Sequence, residues 1–314
     1  MGLTIGVDVG GTKVSAGAVN EKGQIIEKLR RSTPAASPEL TAAVIGDVVN
    51  ELLARHEAAA VGIGAAGFVD ETRSTVVFAP NLAWRDEHIK KQVEDRVGMP
   101  VQVENDANAA AWAEATRGAA RRHDHIMLVA VGTGIGAGIV INRELYRGRW
   151  GVAGEPGHYR VVPDGRLCGC GNRGCWEQYA SGNALVFEAR DFARRSPRAA
   201  VRLLQLCGGV PEQITGPVIT RAAREGDAAA LRCFEIVGHW LGGGLADLAA
   251  ILDPGCFVIG GGVSDAGDLL LQPAREAFHN GLTGRPYRKA AEIRLAELGS
   301  DAGLIGAADL ARSR

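Results

Sequence analysis

The chain has 314 residues, 46% hydrophobic and 23% charged, with a formal net charge of −1. That length exceeds what one hydrophobic core usually serves, so two lobes are expected, and the composition excludes a disordered chain. Near-neutral charge without a basic tail argues against nucleic acid as a partner. No apolar run suffices to span a bilayer and no signal-peptide pattern opens the chain, so a cytoplasmic protein is expected.

In chain order, Leu3, Ile5, Val7 and Val9 alternate with Thr4, Gly6 and Asp8 as a strand does, Gly10-Gly11-Thr12 makes a turn, and residues 13–19 return as a second strand. Ser37 before Pro38 predicts a helix start, and Leu40, Val44, Val48 and Leu52 give that helix one apolar face. A buried strand is expected at residues 61–65. A helix through Ile89, Val93 and Val97 should stop at Gly98 and Pro100. Residues 101–103 read as a short strand running into Glu104-Asn105-Asp106, and the Ala-rich residues 107–115 as a helix. The basic run Arg121 to His125 fits a solvated loop. Val129-Ala130-Val131-Gly132-Thr133-Gly134 then echoes Val7-Asp8-Val9-Gly10-Gly11-Thr12, which suggests two lobes of related fold facing a shared cleft. Later, residues 240–252 read as helix, Cys256 to Ile259 as a buried strand entering Gly260-Gly261-Gly262, and residues 300–311 as helix. Strands alternating with helices predict an α/β fold with functional loops at strand ends.

Three glycine-rich turns follow strands: Gly10-Gly11-Thr12-Lys13, Gly132-Thr133-Gly134 and Gly260-Gly261-Gly262. Each alone can be a plain tight turn; together they favour a nucleotide held by backbone N–H groups, with Lys13 as a cation and Thr12 and Thr133 as donors. Asp8, in an apolar strand, either caps its turn or organises Mg²⁺ beside the phosphates. Asp106 fits both a helix cap and a general base that takes the proton of a sugar hydroxyl, and Asn105 offers hydrogen bonds to neighbouring hydroxyls. Cys168, Cys170 and Cys175 with His158 supply the four donors of a closed, structural zinc site. Glu155 and Glu177 flank that loop and, with the second nitrogen of His158, suit sugar hydroxyls. The remaining cysteines, Cys207, Cys233 and Cys256, read as small core residues.

These motifs resemble the ROK family of bacterial sugar kinases and sugar-responsive repressors over essentially the whole chain. Asp8 to Lys13 is similar to the family's first phosphate loop, Glu104 to Asn108 to its catalytic segment, Gly132 to Gly138 through Glu155-Pro156-Gly157-His158 to its signature, and Cys168 to Glu177 to its zinc loop. The resemblance implies the two-lobed hexokinase/actin-like (ribonuclease H-like) fold with ATP and sugar in the interlobe cleft. It implies an N-terminal lobe of residues 1–118, joined by the helix at about 300–314, and a larger lobe of residues 119–299. It also implies Asp106 as base and Asn81, Asn105, Glu155, His158 and Glu177 as sugar ligands, in a homodimer or homotetramer. The chain resembles most the ATP-dependent, glucose-phosphorylating members, so transfer to a hexose 6-hydroxyl is expected. N-acetylglucosamine, N-acetylmannosamine, mannose or fructose are the alternative acceptors, and polyphosphate the alternative donor. A repressor is disfavoured because the first phosphate loop starts at Asp8. Pro156 stands where an aliphatic residue is common and should stiffen the loop from Glu155 to His158.

Overall fold

The computed structural model describes residues 2–312. The elements begin with β1 (Leu3–Val9), β2 (Lys13–Val19), β3 (Ile25–Ser32), α1 (Pro38–Leu53) and β4 (Ala58–Ala65). Three short strands follow, β5 (Phe68–Val69), β6 (Val76–Phe78) and β7 (Arg85–Glu87), then α2 (Ile89–Val97), β8 (Val101–Asn105) and α3 (Asp106–Thr116). The middle of the chain holds β9 (Ile126–Val131), β10 (Ile135–Ile141), β11 (Glu144–Tyr146), α4 (Glu177–Ala180), α5 (Gly182–Arg195), α6 (Val201–Leu206) and α7 (Gly216–Arg224). It closes with α8 (Ala228–Leu252), β12 (Cys256–Gly260), α9 (Asp268–Gly281), β13 (Glu292–Leu295) and α10 (Ala302–Arg312).

The local signals act where the sequence places them. Ser37 caps α1 by accepting from the Leu40 N–H at 3.2 Å, with Pro38 at the first helical position. Gly98 ends α2 in the left-handed region at φ 68°. Two elements differ from expectation. The helix expected at 240–252 starts at Ala228, because Asp227 caps it there through the Ala230 N–H. The last helix is preceded by a 3-10 turn at Gly299–Asp301.

Contacts divide the chain into two compact units. The first holds the residues through Leu128, Ala137–Gly154, and those from Ala296 on; the second holds Val129–Gly136 and Glu155–Leu295. Four crossings result, where the sequence reading has a boundary at 118/119 and the return of a C-terminal helix.

The first unit is built on a five-stranded sheet in the order β3-β2-β1-β4-β8. β1 runs antiparallel to β2 and parallel to β4, and β4 is parallel to β8. One face buries Ile5, Val7, Val9, Ile63 and Val103 together with Ile45, Val49 and Leu52 of α1 and with Trp84. The other face receives α10 unusually closely. Gly17, Gly6 and Gly62 are register neighbours across β2, β1 and β4. A side chain at Gly6 would stand 2.1 Å from the Leu304 carbonyl oxygen, and one at Gly62 1.8 Å from that of Ala307. The glycine stripe is therefore the groove in which α10 lies.

The second sheet runs β11-β10-β9-β12-β13, with β10 antiparallel to β11 and β12 parallel to β13. In the second unit α8 packs along α9, and Gly242 permits the approach: a Cβ there would sit 2.0 Å from the Ala274 carbonyl oxygen. Among the described residues no helix is long and apolar enough to cross a membrane.

Candidate functional site

In the first unit, β8 ends at Asn105 and α3 begins at Asp106. Asn105 caps the helix: its Oδ1 accepts from the Asn108 N–H at 2.9 Å, while its Nδ2 donates to the Gly67 carbonyl at 3.1 Å. Both ends of that amide are thus engaged, leaving one N–H and one lone pair for another partner. The Asp106 carboxylate accepts from the Ala107 N–H at 2.9 Å. Asp106 is only partly open to water. That withdrawal, with the neighbouring Asp8 carboxylate as second cause, pushes it up to about 7. Asp8, at the end of β1, is also raised, chiefly by burial, with Lys13 and Lys28 pulling the other way.

Two glycines that sequence reasoning did not single out border this pair. A Cβ on Gly303 would lie 3.4 Å from Asp8 Oδ1 and 3.8 Å from the Asp106 carbonyl, and one on Gly64 would lie 3.7 Å from the Asp106 Cα. The turn after β1 is closed by the Gly10 N–H to the Lys13 carbonyl at 3.0 Å, and the Thr33 N–H donates to the Thr12 carbonyl at 3.1 Å. Asn81 lies against that turn, its Cβ 2.9 Å from where a Cβ on Gly11 would be. Asp8, Gly10, Gly11, Thr12, Lys13, Asn81, Asn105 and Asp106 all belong to this unit.

The second unit carries a cavity of about 890 Å³. Its walls are the turns at Gly132-Thr133 and Gly262-Val263, the start of α5 (Gly182, Asn183) and α7 from Gly216 to Arg224. The turn is tied to α5 by the Gly182 N–H to the Gly132 carbonyl at 2.8 Å, and to the other turn by the Val263 N–H to the Val131 carbonyl at 3.0 Å. Of the residues expected in the glycine-rich turns, Gly132, Thr133 and Gly262 line the cavity. Gly260 ends β12, and Gly261, at φ 83°, turns the chain beside Val131, where any Cβ would meet backbone at 2.5 Å. Gly134 instead faces Glu177: a Cβ there would fall 2.3 Å from Glu177 Oε2.

His158 closes a 3-10 turn, Pro156–His158, with Pro at its first position and Glu155 preceding it. The ligand atoms of His158, Cys168, Cys170 and Cys175 all lie within 4.8 Å of one another. Cys168 Sγ is 3.6 Å from His158 Nδ1, and Cys170 Sγ 3.6 Å from Cys175 Sγ. Tetrahedral zinc with bonds of about 2.0–2.3 Å holds its donors roughly 3.5–3.8 Å apart, so the donor set and its spacing fit that ion. Glu177 adjoins the loop, its Oε1 3.0 Å from Cys168 Sγ and its Oε2 3.4 Å from the Ile135 nitrogen. The loop is anchored by Trp176, which is fully buried against Gly244 of α8 and donates its indole N–H to the Trp240 carbonyl at 2.8 Å.

Two compact α/β units, a five-stranded sheet with the order 3-2-1-4-8, and a Gly/Thr turn after the first strand of each sheet define the actin-like ATPase fold. The chain belongs to the ROK family, whose model matches residues 4–314. It is 52% identical over 312 residues to a glucokinase of Streptomyces coelicolor, covering 99% of this chain and 98% of that protein. Among solved structures, a ROK family glucokinase from Streptomyces griseus in complex with glucose and AMPPNP matches with a TM-score of 0.91 and 52% identity, covering all of both chains. A ROK hexokinase from Thermus thermophilus matches with a TM-score of 0.82 and 34% identity over 99% of this chain and 98% of that one.

Proposed function

We propose that this chain is an ATP-dependent glucokinase, transferring the γ-phosphoryl group of ATP to the 6-hydroxyl of glucose with Asp106 as the base. One observation carries the assignment of the base: a carboxylate raised to about 7 stands at a strand-to-helix junction beside a second acid. A base poised near the working pH combines the right protonation state with enough driving force to take a proton. The full-length similarity to a glucokinase bound to glucose and AMPPNP supports the choice of donor and acceptor.

In this mechanism the Asp106 carboxylate accepts the proton of the 6-hydroxyl as that oxygen forms its bond to the γ-phosphorus. The bond from the γ-phosphorus to the β–γ bridging oxygen breaks, and ADP leaves with that oxygen. The cavity of the second unit takes the nucleotide, its glycine turns and the starts of α5 and α7 presenting N–H groups to the phosphates. Lys13 adds positive charge, and Asp8 would hold the Mg²⁺ that arrives with ATP. That ion supplies charge neutralisation on the transferring phosphoryl group. Asn81, the spare hydrogen-bonding capacity of Asn105, Glu155 and Glu177 bind sugar hydroxyls. His158 turns Nδ1 to the thiol cluster and so keeps Nε2 for the sugar. Zinc on His158, Cys168, Cys170 and Cys175 would fix that loop as a closed structural centre.

An assay of ADP release across a panel of hexoses with ATP and polyphosphate tests this. Glucose with ATP should give the highest kcat/KM, with glucose 6-phosphate and ADP formed one to one. A preference for an N-acetylated sugar or for polyphosphate would refute the assignment. Because Asp106 must be ionised, kcat/KM should fall as pH drops through about 7. Sedimentation tests the proposed dimer or tetramer.

A further inference from the structure

Glu104 is an acid of the first unit that the mechanism above does not use, and it is only 3% exposed. Its Oε2 receives the Arg147 Nε at 2.5 Å and lies 3.8 Å from the Arg73 Nε. Its Oε1 accepts from the Asn108 Nδ2 at 3.0 Å and from the Asn105 N–H at 3.1 Å. Asn108 in turn gives its N–H to the Asn105 side chain at 2.9 Å. Glu104 therefore holds both residues that bracket Asp106. Arg73 reaches it from a left-handed backbone, φ 58°, which a residue bearing a side chain keeps only when its surroundings hold it there. The Arg147 backbone is fixed as well, its carbonyl accepting from the Ala153 N–H at 3.0 Å. Behind the same turn, β10 comes so close that a Cβ on Gly138 would lie 2.7 Å from the Ala107 carbonyl oxygen.

A buried ion pair adds little stability that apolar residues of equal volume would not supply, so stability alone does not account for this one. We propose that the Arg147–Glu104 pair is a positioning device for the phosphoryl transfer. It locks the first turn of α3 so that the Asp106 carboxylate meets the hydroxyl it deprotonates. Arg147 and Glu104 are positioning residues, acting through Asn105 and Asn108. The inference rests on Asp106 being the base.

The test compares Arg147→Met, Arg147→Lys and the double variant E104Q/R147M with Asp106→Asn in parallel, reading kcat, both KM values and the melting temperature. A small displacement of a reacting group costs up to about 100-fold, so R147M should lose roughly 10- to 100-fold in kcat. Its KM for ATP should stay within about twofold, since the nucleotide cavity takes no lining from these residues. R147K, which restores a point charge without the guanidinium fork, should recover part of the loss. E104Q/R147M, which removes both charges of the pair and leaves only Arg73 facing the neutral amide, should regain part of the melting temperature but remain slow. A folded R147M with the native kcat would overturn the inference, as would a double variant in which kcat returns together with stability. Normal turnover by D106N would instead remove the base assignment on which the inference stands.

Discussion

In the first sheet the turn at residues 10–12 joins β1 to β2, and in the second the turn at residues 132–134 joins β9 to β10. Both sheets then run in the same order, three consecutive strands followed by two later ones. The six-residue echo between Val7-Asp8-Val9-Gly10-Gly11-Thr12 and Val129-Ala130-Val131-Gly132-Thr133-Gly134 is thus the visible part of a repeated scaffold. The chemistry attached to it differs. Asp8 in the first copy corresponds to Ala130 in the second. The first turn stands with the acidic pair, whereas the second lines a cavity walled by two helix starts. The fold supplies a strand end that opens into a Gly/Thr turn twice. Only the first copy carries a carboxylate, and only the second opens onto the cavity proposed for the nucleotide.

Making the copies alike is the most direct way to break this comparison. Asp8→Ala, which gives the first turn the residue of the second, should lower kcat by roughly 100-fold or more while nucleotide binding persists. Isothermal titration with AMPPNP beside a turnover assay checks it, and an unchanged kcat would remove Asp8 from the mechanism. The Cys/His loop proposed to hold zinc belongs to the second unit alone. Cys170→Ser should release zinc, measured as metal per chain, and raise the KM for sugar by roughly tenfold or more. A metal-free variant with native sugar affinity would uncouple the loop from the sugar. Ala130→Asp, the reverse exchange, should weaken nucleotide binding by about five- to tenfold through repulsion of phosphate, with the effect shrinking at high salt. Ser37→Ala, which removes the cap of α1, should cost about 1 kcal/mol in a denaturant titration and leave kcat untouched.

What was legible in the sequence follows from where the information sits. Ser37, Gly98 and Asn105 act through their own side chains or backbone freedom, so the starts of α1 and α3 and the end of α2 could be read directly. The Cys/His cluster was equally plain, because the spacing and donor types in the sequence already bring four metal-ligating side chains to one loop. The walls of the cavity proposed for the nucleotide were not. Gly182, Asn183, Gly216 and Pro217 act as helix starts, and that role shows only once α5 and α7 are in place. The capping pattern Ser181-Gly182-Asn183 was the available signal: Ser181 does accept from the Ala184 N–H, at 3.3 Å. Glu104 and Arg147 are 43 positions apart, and no local pattern links them. Gly64 and Gly303 meet the acidic pair only because α10 returns to the first sheet along the stripe of Gly17, Gly6 and Gly62.

Asp106→Asn tests the central claim most directly, since the amide keeps the shape of the side chain and its acceptor for the Ala107 N–H. Asp106 titrates well above the ordinary carboxylate range when folded, so its contribution to stability is present at low pH and lost as pH rises through about 7. At pH 8 the variant, free of that charge, should melt no lower than the native chain. Rapid-quench measurement of glucose 6-phosphate formed from ATP should then show turnover reduced by about 100- to 10,000-fold, with glucose and AMPPNP bound as in the native protein. A folded D106N that binds both ligands and forms product at the native rate would contradict the account.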